Sequence, residues 1–283
     1  MIDASSVHAF TAAHFRAMHE SGCFVLPNPW DVGTAIYLQH LGFEALATTS
    51  AGVAFAQGLP DTVAAIPCEV MLDHIRAVVA ATPLPVNADF QNGFADEPED
   101  VAANVTRCVN TGVAGLSIED STGGRTAPLY ELAQAIERIR AARAAIEASS
   151  IPLVLTARCE AWLVGVPDAS RVAIDRLVAF ADAGADCLYA PGPRDPKEIE
   201  AIVKAVAPKP VNVLVSAPSA DLTLARLTDL GVRRISVGSA LARVAWSAFI
   251  RAAKDIAETG TFESLAAATP FSELNALMSA RPR

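Results

Sequence analysis

The sequence is poorest where several common catalytic strategies need it to be rich. All five histidines, His8, His14, His19, His40 and His74, fall in the first 74 of 283 residues and on segments patterned as helices. A histidine general base or a Ser-His-Asp triad at a strand end is thereby disfavoured. Only four lysines occur, Lys197, Lys204, Lys209 and Lys254, and none lies in or at the end of a strand-like run. Schiff-base chemistry loses its nucleophile. The five cysteines, Cys23, Cys68, Cys108, Cys159 and Cys187, are widely spaced with no Cys-x-x-Cys pair, so neither a disulfide framework nor a zinc site is indicated. A reduced, cytoplasmic setting is expected. No apolar run nears the roughly 18–20 residues of a membrane span, and the start Met1-Ile-Asp-Ala-Ser-Ser has no basic-then-apolar leader. A formal charge of −9, with Lys and Arg scattered, argues against nucleic acid or a membrane surface as partner and favours a small molecule.

Regular alternation is what the chain does have. Strand-like runs at 23–26, 45–49, 85–88, 115–118, 152–156, 187–190, 210–215 and 234–237 are separated by segments with apolar residues on one helical face, such as 69–81, 99–111, 129–149, 170–183 and 196–206. Glycines at 42, 112, 184 and 231 stand where a helix must stop before the next strand. Eight such repeats predict one α/β domain over residues 1–283, a (β/α)8 TIM barrel. An open doubly wound sheet is the alternative, but the first strand lacks a Gly-x-Gly-x-x-Gly turn. A leading helix capped by Asp3 is expected in front of the barrel. Residues 241–283 read as a C-terminal helical extension whose Phe271, Leu274 and Leu277 pack on the same barrel or on a partner subunit. A homo-oligomer, dimer or tetramer, is the expectation.

Four of the runs end in polar side chains, and together they deliver Ser50, Asp89, Glu119, Asp120 and Arg158. In this barrel the C-terminal ends of the strands form the active face. Asp89 and Glu119 end neighbouring strands, so their oxygens can reach one hard cation such as Mg²⁺; the alternative is two solvated loop carboxylates. Arg158 ends the next strand, where its planar fork suits a carboxylate, either of a substrate or of Glu119 or Glu160. Cys159 follows it and points to the other face, as packing.

Several segments, in order, resemble the isocitrate lyase and phosphoenolpyruvate mutase superfamily: Asn28-Pro-Trp-Asp31, Thr48-Thr-Ser-Ala-Gly-Val-Ala54, Gly58-Leu-Pro-Asp61, Ala88-Asp89-x-x-x-Gly93-Phe94, Ile118-Glu-Asp120 and Ala157-Arg158-x-Glu160. The resemblance implies a Mg²⁺-dependent enzyme (Mn²⁺ in its place) that makes or breaks a C–C or C–P bond beside an α-keto acid through an enolate. It implies Asp89 as the main metal carboxylate, with Glu119 and Asp61 acting nearby through waters. Ser50, Ala51 and Gly52 match the turn whose backbone N–H groups receive a substrate carboxylate or oxyanion. Arg158 matches the carboxylate-binding arginine, and Asn212 the strand-seven asparagine that contacts substrate.

Two departures narrow the activity. The superfamily's lyases carry a Lys-x-Cys-Gly-His type loop after strand four, whereas this chain has Ser121-Thr-Gly-Gly-Arg125-Thr-Ala-Pro128, without cysteine or histidine. Isocitrate or methylisocitrate cleavage is therefore not expected. Gln91 also stands where many members have a second acid. Gly123 and Gly124 make residues 121–128 a candidate gate, with Arg125 as an added anion contact or a plain solvated arginine. The expected activity is that of a lyase or decarboxylase acting on a small α-keto or 2-hydroxy dicarboxylate such as oxaloacetate. Phosphonopyruvate hydrolysis or phosphoenolpyruvate mutase chemistry is the alternative, and a carboxylate-binding barrel without turnover is a third.

Overall fold

In the computed structural model, which describes residues 4–63 and 65–279, eight parallel strands alternate with helices around one barrel. The chain runs α1 (Ala4–Ala17), β1 (Phe24–Leu26), α2 (Val32–His40), β2 (Leu46–Ala47), α3 (Ser50–Ala56), α4 (Cys68–Ala81) and β3 (Val86–Asp89). It continues through α5 (Pro98–Val109), β4 (Gly115–Glu119), α6 (Leu132–Ala148), β5 (Val154–Arg158), α7 (Ala169–Asp182) and β6 (Cys187–Tyr189). Last come α8 (Pro196–Val206), β7 (Val211–Leu214), α9 (Leu224–Asp229), β8 (Arg234–Ser236), α10 (Ala240–Thr259), a 3-10 turn (Glu263–Ala267) and α11 (Phe271–Ser279). The Asp3 cap expected from sequence lies outside the described residues.

Strands pair in the order β1-β8-β7-β6-β5-β4-β3-β2, and the Ala47 N–H donates to Pro27 O at 3.0 Å across the remaining seam. All eight expected strands are present: β1, β2, β6, β7 and β8 are shorter than expected by one to three residues, β4 is one longer, and β3 and β5 are shifted forward by one and two. Alternation along them sends Leu116, Ile118, Leu155 and Ala157 outward into the apolar layer shared with the helices, which α4 through α8 line with Ile75, Val105, Ile139, Leu177 and Ile202. The opposite set points to the barrel axis.

Helix α1 closes the bottom. Its Phe15 packs with Leu26, Ala45, Ala114, Val154 and Cys187, and its Arg16 holds Asp186 through Nη1 at 2.8 Å and Nη2 at 3.0 Å. Arg16 also donates to Pro152 O and Leu153 O, and His8 Nε2 meets Val113 O at 2.7 Å. Those partners all precede strands, so α1 covers the N-terminal ends and leaves the C-terminal mouth as the open end.

Helix starts follow local chemistry. Asp31 opens α2 as a capping box, its Oδ1 accepting Thr34 N–H at 2.7 Å while Thr34 Oγ1 accepts Asp31 N–H at 3.2 Å. Pro98 and Pro196 occupy the first helical position of α5 and α8, where a missing N–H costs nothing. At the stop before β6, Gly184 has φ +102°, and a Cβ there would sit 2.9 Å from Arg143 Cγ. Helix α10 buries only Ala242 and leaves Val244, Trp246, Phe249 and Ile250 exposed, with Phe262 and Phe271 after it.

Candidate active site

The open mouth gathers four carboxylates around one guanidinium. Arg158, ending β5, pairs through Nη1 with Glu119 Oε1 at 2.9 Å and with Asp89 Oδ1 at 3.5 Å, and its Nε donates to Glu160. Asp61, on the loop after α3, faces the same cluster, with the Ser50 hydroxyl against its carboxyl. Strand register brings these groups together: Asp89 lies opposite Ser117, Glu119 opposite Arg158, and Arg158 opposite Tyr189. Of the two partners expected for Arg158, a substrate carboxylate or a neighbouring glutamate, the structure shows the second, with both Glu119 and Glu160 engaged.

Charge is unbalanced here. Burial drives the Glu119 carboxyl well above its usual range; Arg158 opposes this, while Glu160, Asp89 and Asp61 add to it. Asp61 is raised as well, by desolvation and then by Asp89. A single cation cannot neutralise four neighbouring acids, so the cluster favours any further positive charge.

The donors fit a hard divalent ion in kind. Asp89 Oδ2 accepts the Ser50 N–H at 2.8 Å, but Oδ1 is buried with only the long ion pair to Arg158 and no hydrogen bond, and Gln91 Oε1, two residues on, is buried without a hydrogen bond. Unsatisfied buried oxygens of this kind are costly unless something positive meets them. Among the described residues no three acidic, His or Cys side chains converge tightly enough to ligate an ion unaided. An ion bound there would need water and substrate oxygens for its other positions, as Mg²⁺ commonly takes.

The Ser50 to Gly52 segment departs from expectation. It forms the first turn of α3 with Thr49 as N-cap, and two of its three N–H groups are spent inside the protein. Ser50 gives its N–H to Asp89, and Gly52 points its own at Thr49 Oγ1, 3.3 Å away. Ala51 is the member whose donor is not drawn to either acceptor. Asn212 is also committed: Oδ1 accepts Arg234 Nε at 2.9 Å and Nδ2 donates to Ser236 Oγ at 2.9 Å. Both amide ends are satisfied, so a substrate contact there requires breaking one of these bonds.

Residues 121–128, the expected gate, form a narrow reverse loop. Ser121 bridges to Leu129, Thr122 N–H donates to Pro128 O at 3.0 Å, and Gly123, at φ +73°, lets the backbone approach the Val63 side chain to where a Cβ would be 3.1 Å away. Arg125 is exposed beyond it.

Glu160 was expected from the Arg158-x-Glu160 motif as a partner of Arg158, and it is one. Three further contributors were not singled out from the sequence. Tyr189 ends β6 on the same face as Arg158, whose guanidinium carbon lies 5.1 Å from its ring centre. Asn28 ties three strand ends together, donating to Thr48 O and accepting the Val237 and Gly238 N–H groups. Arg234 reaches across the axis to Thr156 Oγ1 at 3.0 Å and to His19, flooring a small cavity of about 40 Å³ that Asp89, Arg158, Tyr189 and Asn212 also line.

A family model described as phosphoenolpyruvate phosphomutase matches residues 15–257. The chain belongs to the isocitrate lyase and phosphoenolpyruvate mutase superfamily. Within this superfamily it is 35% identical to an uncharacterised protein of Mycobacterium tuberculosis over 267 residues, covering 93% of this chain and 95% of that one. It is 32% identical over 261 residues to an oxaloacetate decarboxylase of Pseudomonas aeruginosa, covering 88% and 84% of the two chains. A solved structure from Burkholderia cenocepacia, described provisionally as a lyase/mutase, superposes with a TM-score of 0.92 at 49% identity over 98% of both chains. Superfamily members are lyases and mutases, and an enzyme of that kind is what the chain is.

Proposed function

We propose that the protein is a Mg²⁺-dependent carbon–carbon lyase or decarboxylase acting on a small α-keto or 2-hydroxy dicarboxylate of the oxaloacetate type. The observation that carries this is the acidic cluster at the mouth, four carboxylates against Arg158, with Asp89 Oδ1 buried and without a hydrogen bond beyond its long 3.5 Å ion pair to Arg158. Asp89 would hold the ion, with Glu119 and Asp61 acting through its waters, and Mn²⁺ would serve in its place. Such an ion supplies Lewis-acid stabilisation of negative charge on a keto oxygen, largest in the transition state.

The remaining work falls to the chain's own groups. Arg158 turns part of its fork from Glu119 to the substrate carboxylate, which it can do without loss of charge balance once other positive charge faces Glu119. The Ala51 N–H, at the start of α3, orients the far end of the substrate. Residues 121–128 close over the mouth, hinged on Gly123 and Gly124, and exclude water from the enolate. The same account includes a cytosolic setting, and no described helix is long and apolar enough to cross a membrane.

C–P chemistry is the second reading, favoured by the phosphomutase description of the family model. The test is a panel of α-keto acids, 2-hydroxy acids and phosphonates, assayed with Mg²⁺ and with chelator for release of pyruvate or phosphate. Mg²⁺-dependent pyruvate release from oxaloacetate or a close analogue is expected. Turnover of phosphonopyruvate alone puts the second reading first, and tight oxalate binding with no turnover at all leaves a carboxylate-binding barrel.

A further inference from the structure

Bond cleavage beside a ketone leaves an enolate carbon that must take up a proton, yet residues 121–128 contain no cysteine, histidine or lysine to give one. Among the described side chains lining the mouth cavity, those with an exchangeable O–H are Thr48, Ser117, Tyr189 and Ser236. Ser117 spends its proton on Ala88 O at 3.3 Å. Thr48 Oγ1 accepts the Asp89 N–H at 2.9 Å and keeps its own proton, but an aliphatic hydroxyl is a far weaker acid than a phenol.

The other two belong to a chain of bonds that all run one way. Arg234 can only donate, and its Nε–H goes to Asn212 Oδ1 at 2.9 Å, which fixes the orientation of that amide. Asn212 therefore presents its NH₂, donating to Ser236 Oγ at 2.9 Å. Ser236, having accepted, has its own proton to give, and its side chain faces the Tyr189 phenol. Facing a donor in Ser236, Tyr189 keeps its own phenolic proton, at the wall of a cavity it lines together with Asp89 and Arg158. The Arg158 guanidinium lies over the ring.

We propose that Tyr189 is the catalytic acid of this site, giving its phenolic proton to the enolate carbon; the inference rests on the enolate reading above. The Tyr189 O–H bond breaks as the C–H bond forms, and the O–H electron pair remains on the phenolate oxygen. Ser236 and the Arg158 charge steady that phenolate until a solvent proton restores the phenol after product release.

The reverse step gives the test. Wild-type protein with Mg²⁺ in D₂O exchanges the methyl protons of pyruvate, followed by NMR, and Tyr189→Phe slows that exchange by about 10²–10⁴-fold, the usual worth of a positioned acid or base. Oxalate, which has no carbon to protonate, binds both proteins equally by calorimetry. Equal exchange in the two proteins overturns the inference, as does a loss of exchange matched by a loss of oxalate affinity. A wild-type protein that binds oxalate but exchanges nothing overturns the enolate reading, and the assignment of Tyr189 with it.

Discussion

At the scale of single residues, the site is governed by which oxygens and protons are already spent. Arg158 holds two carboxylates in the fork that a substrate would need, so its value lies in being able to change partners. Lysine carries the same charge without the planar pair of donors. Arg158→Lys is accordingly expected to weaken oxalate binding about 10–100-fold, the equivalent of one to two charge-assisted hydrogen bonds, with the fold intact; calorimetry measures it, and undiminished affinity would remove Arg158 from the substrate site. Residue identities at strand ends were legible because alternation and strand length fix which side chain reaches the mouth. Hydrogen-bond commitments were not. Nothing in a sequence tells that the Ser50 N–H is given to Asp89, or that both ends of Asn212 are taken by Ser236 and Arg234.

At the scale of elements, three helices and strands are locked together behind the cluster. Asp120, at the end of β4, accepts the Glu160 N–H on Oδ1 at 2.8 Å and pairs through Oδ2 with Arg176 of α7 at 3.1 Å, while Arg176 also donates to Tyr130 O. Both members of the ion pair are buried. Arg176→Ala would strand the Asp120 charge in the interior, at a cost of about 3–5 kcal/mol; urea unfolding reads it directly, and a loss under about 1 kcal/mol would mean that the pair adds nothing net. All eight strands and the large amphipathic helices could be read from sequence because two-residue and 3.6-residue periodicities are properties of the chain itself. Helices α3 and α9 could not, and of α2 only the end at His40 was placed on a helical segment. They are six to nine residues long, too short to show a period, and their starts are set by caps at Asp31, Thr49 and Thr223 that also read as turns.

At the scale of the molecule, the barrel has one sealed end and one charged end, and pH acts differently on each. His19 sits under Arg234 at the sealed end, where burial first and then that guanidinium lower its pKa from 6.5 to about 3. Below pH 6.5 the unfolded chain takes a proton that the folded one refuses, so stability is lost as pH falls from about 6.5 towards about 3. The slope approaches roughly 1.4 kcal/mol per pH unit, or about 2 kcal/mol by pH 5. Unfolding free energies at pH 7 and pH 5 should differ less in His19→Asn than in wild type by about that amount; parallel profiles would contradict it. The exposed apolar face of α10, with Trp246, Phe249 and Ile250, supports the proposal that residues 241–283 pack on a second copy. Sedimentation should show a dimer or tetramer that Phe249→Glu disperses, and a monomeric wild type would rule the proposal out.

Everything assigned to the charged end depends on a divalent ion finding Asp89. Titration of Mn²⁺ into the protein with oxalate, followed by the Mn²⁺ electron spin resonance signal, tests this without reference to any substrate. One ion bound per chain in wild type and none in Asp89→Asn is the predicted result. Equal binding by both proteins, or by neither, would contradict it.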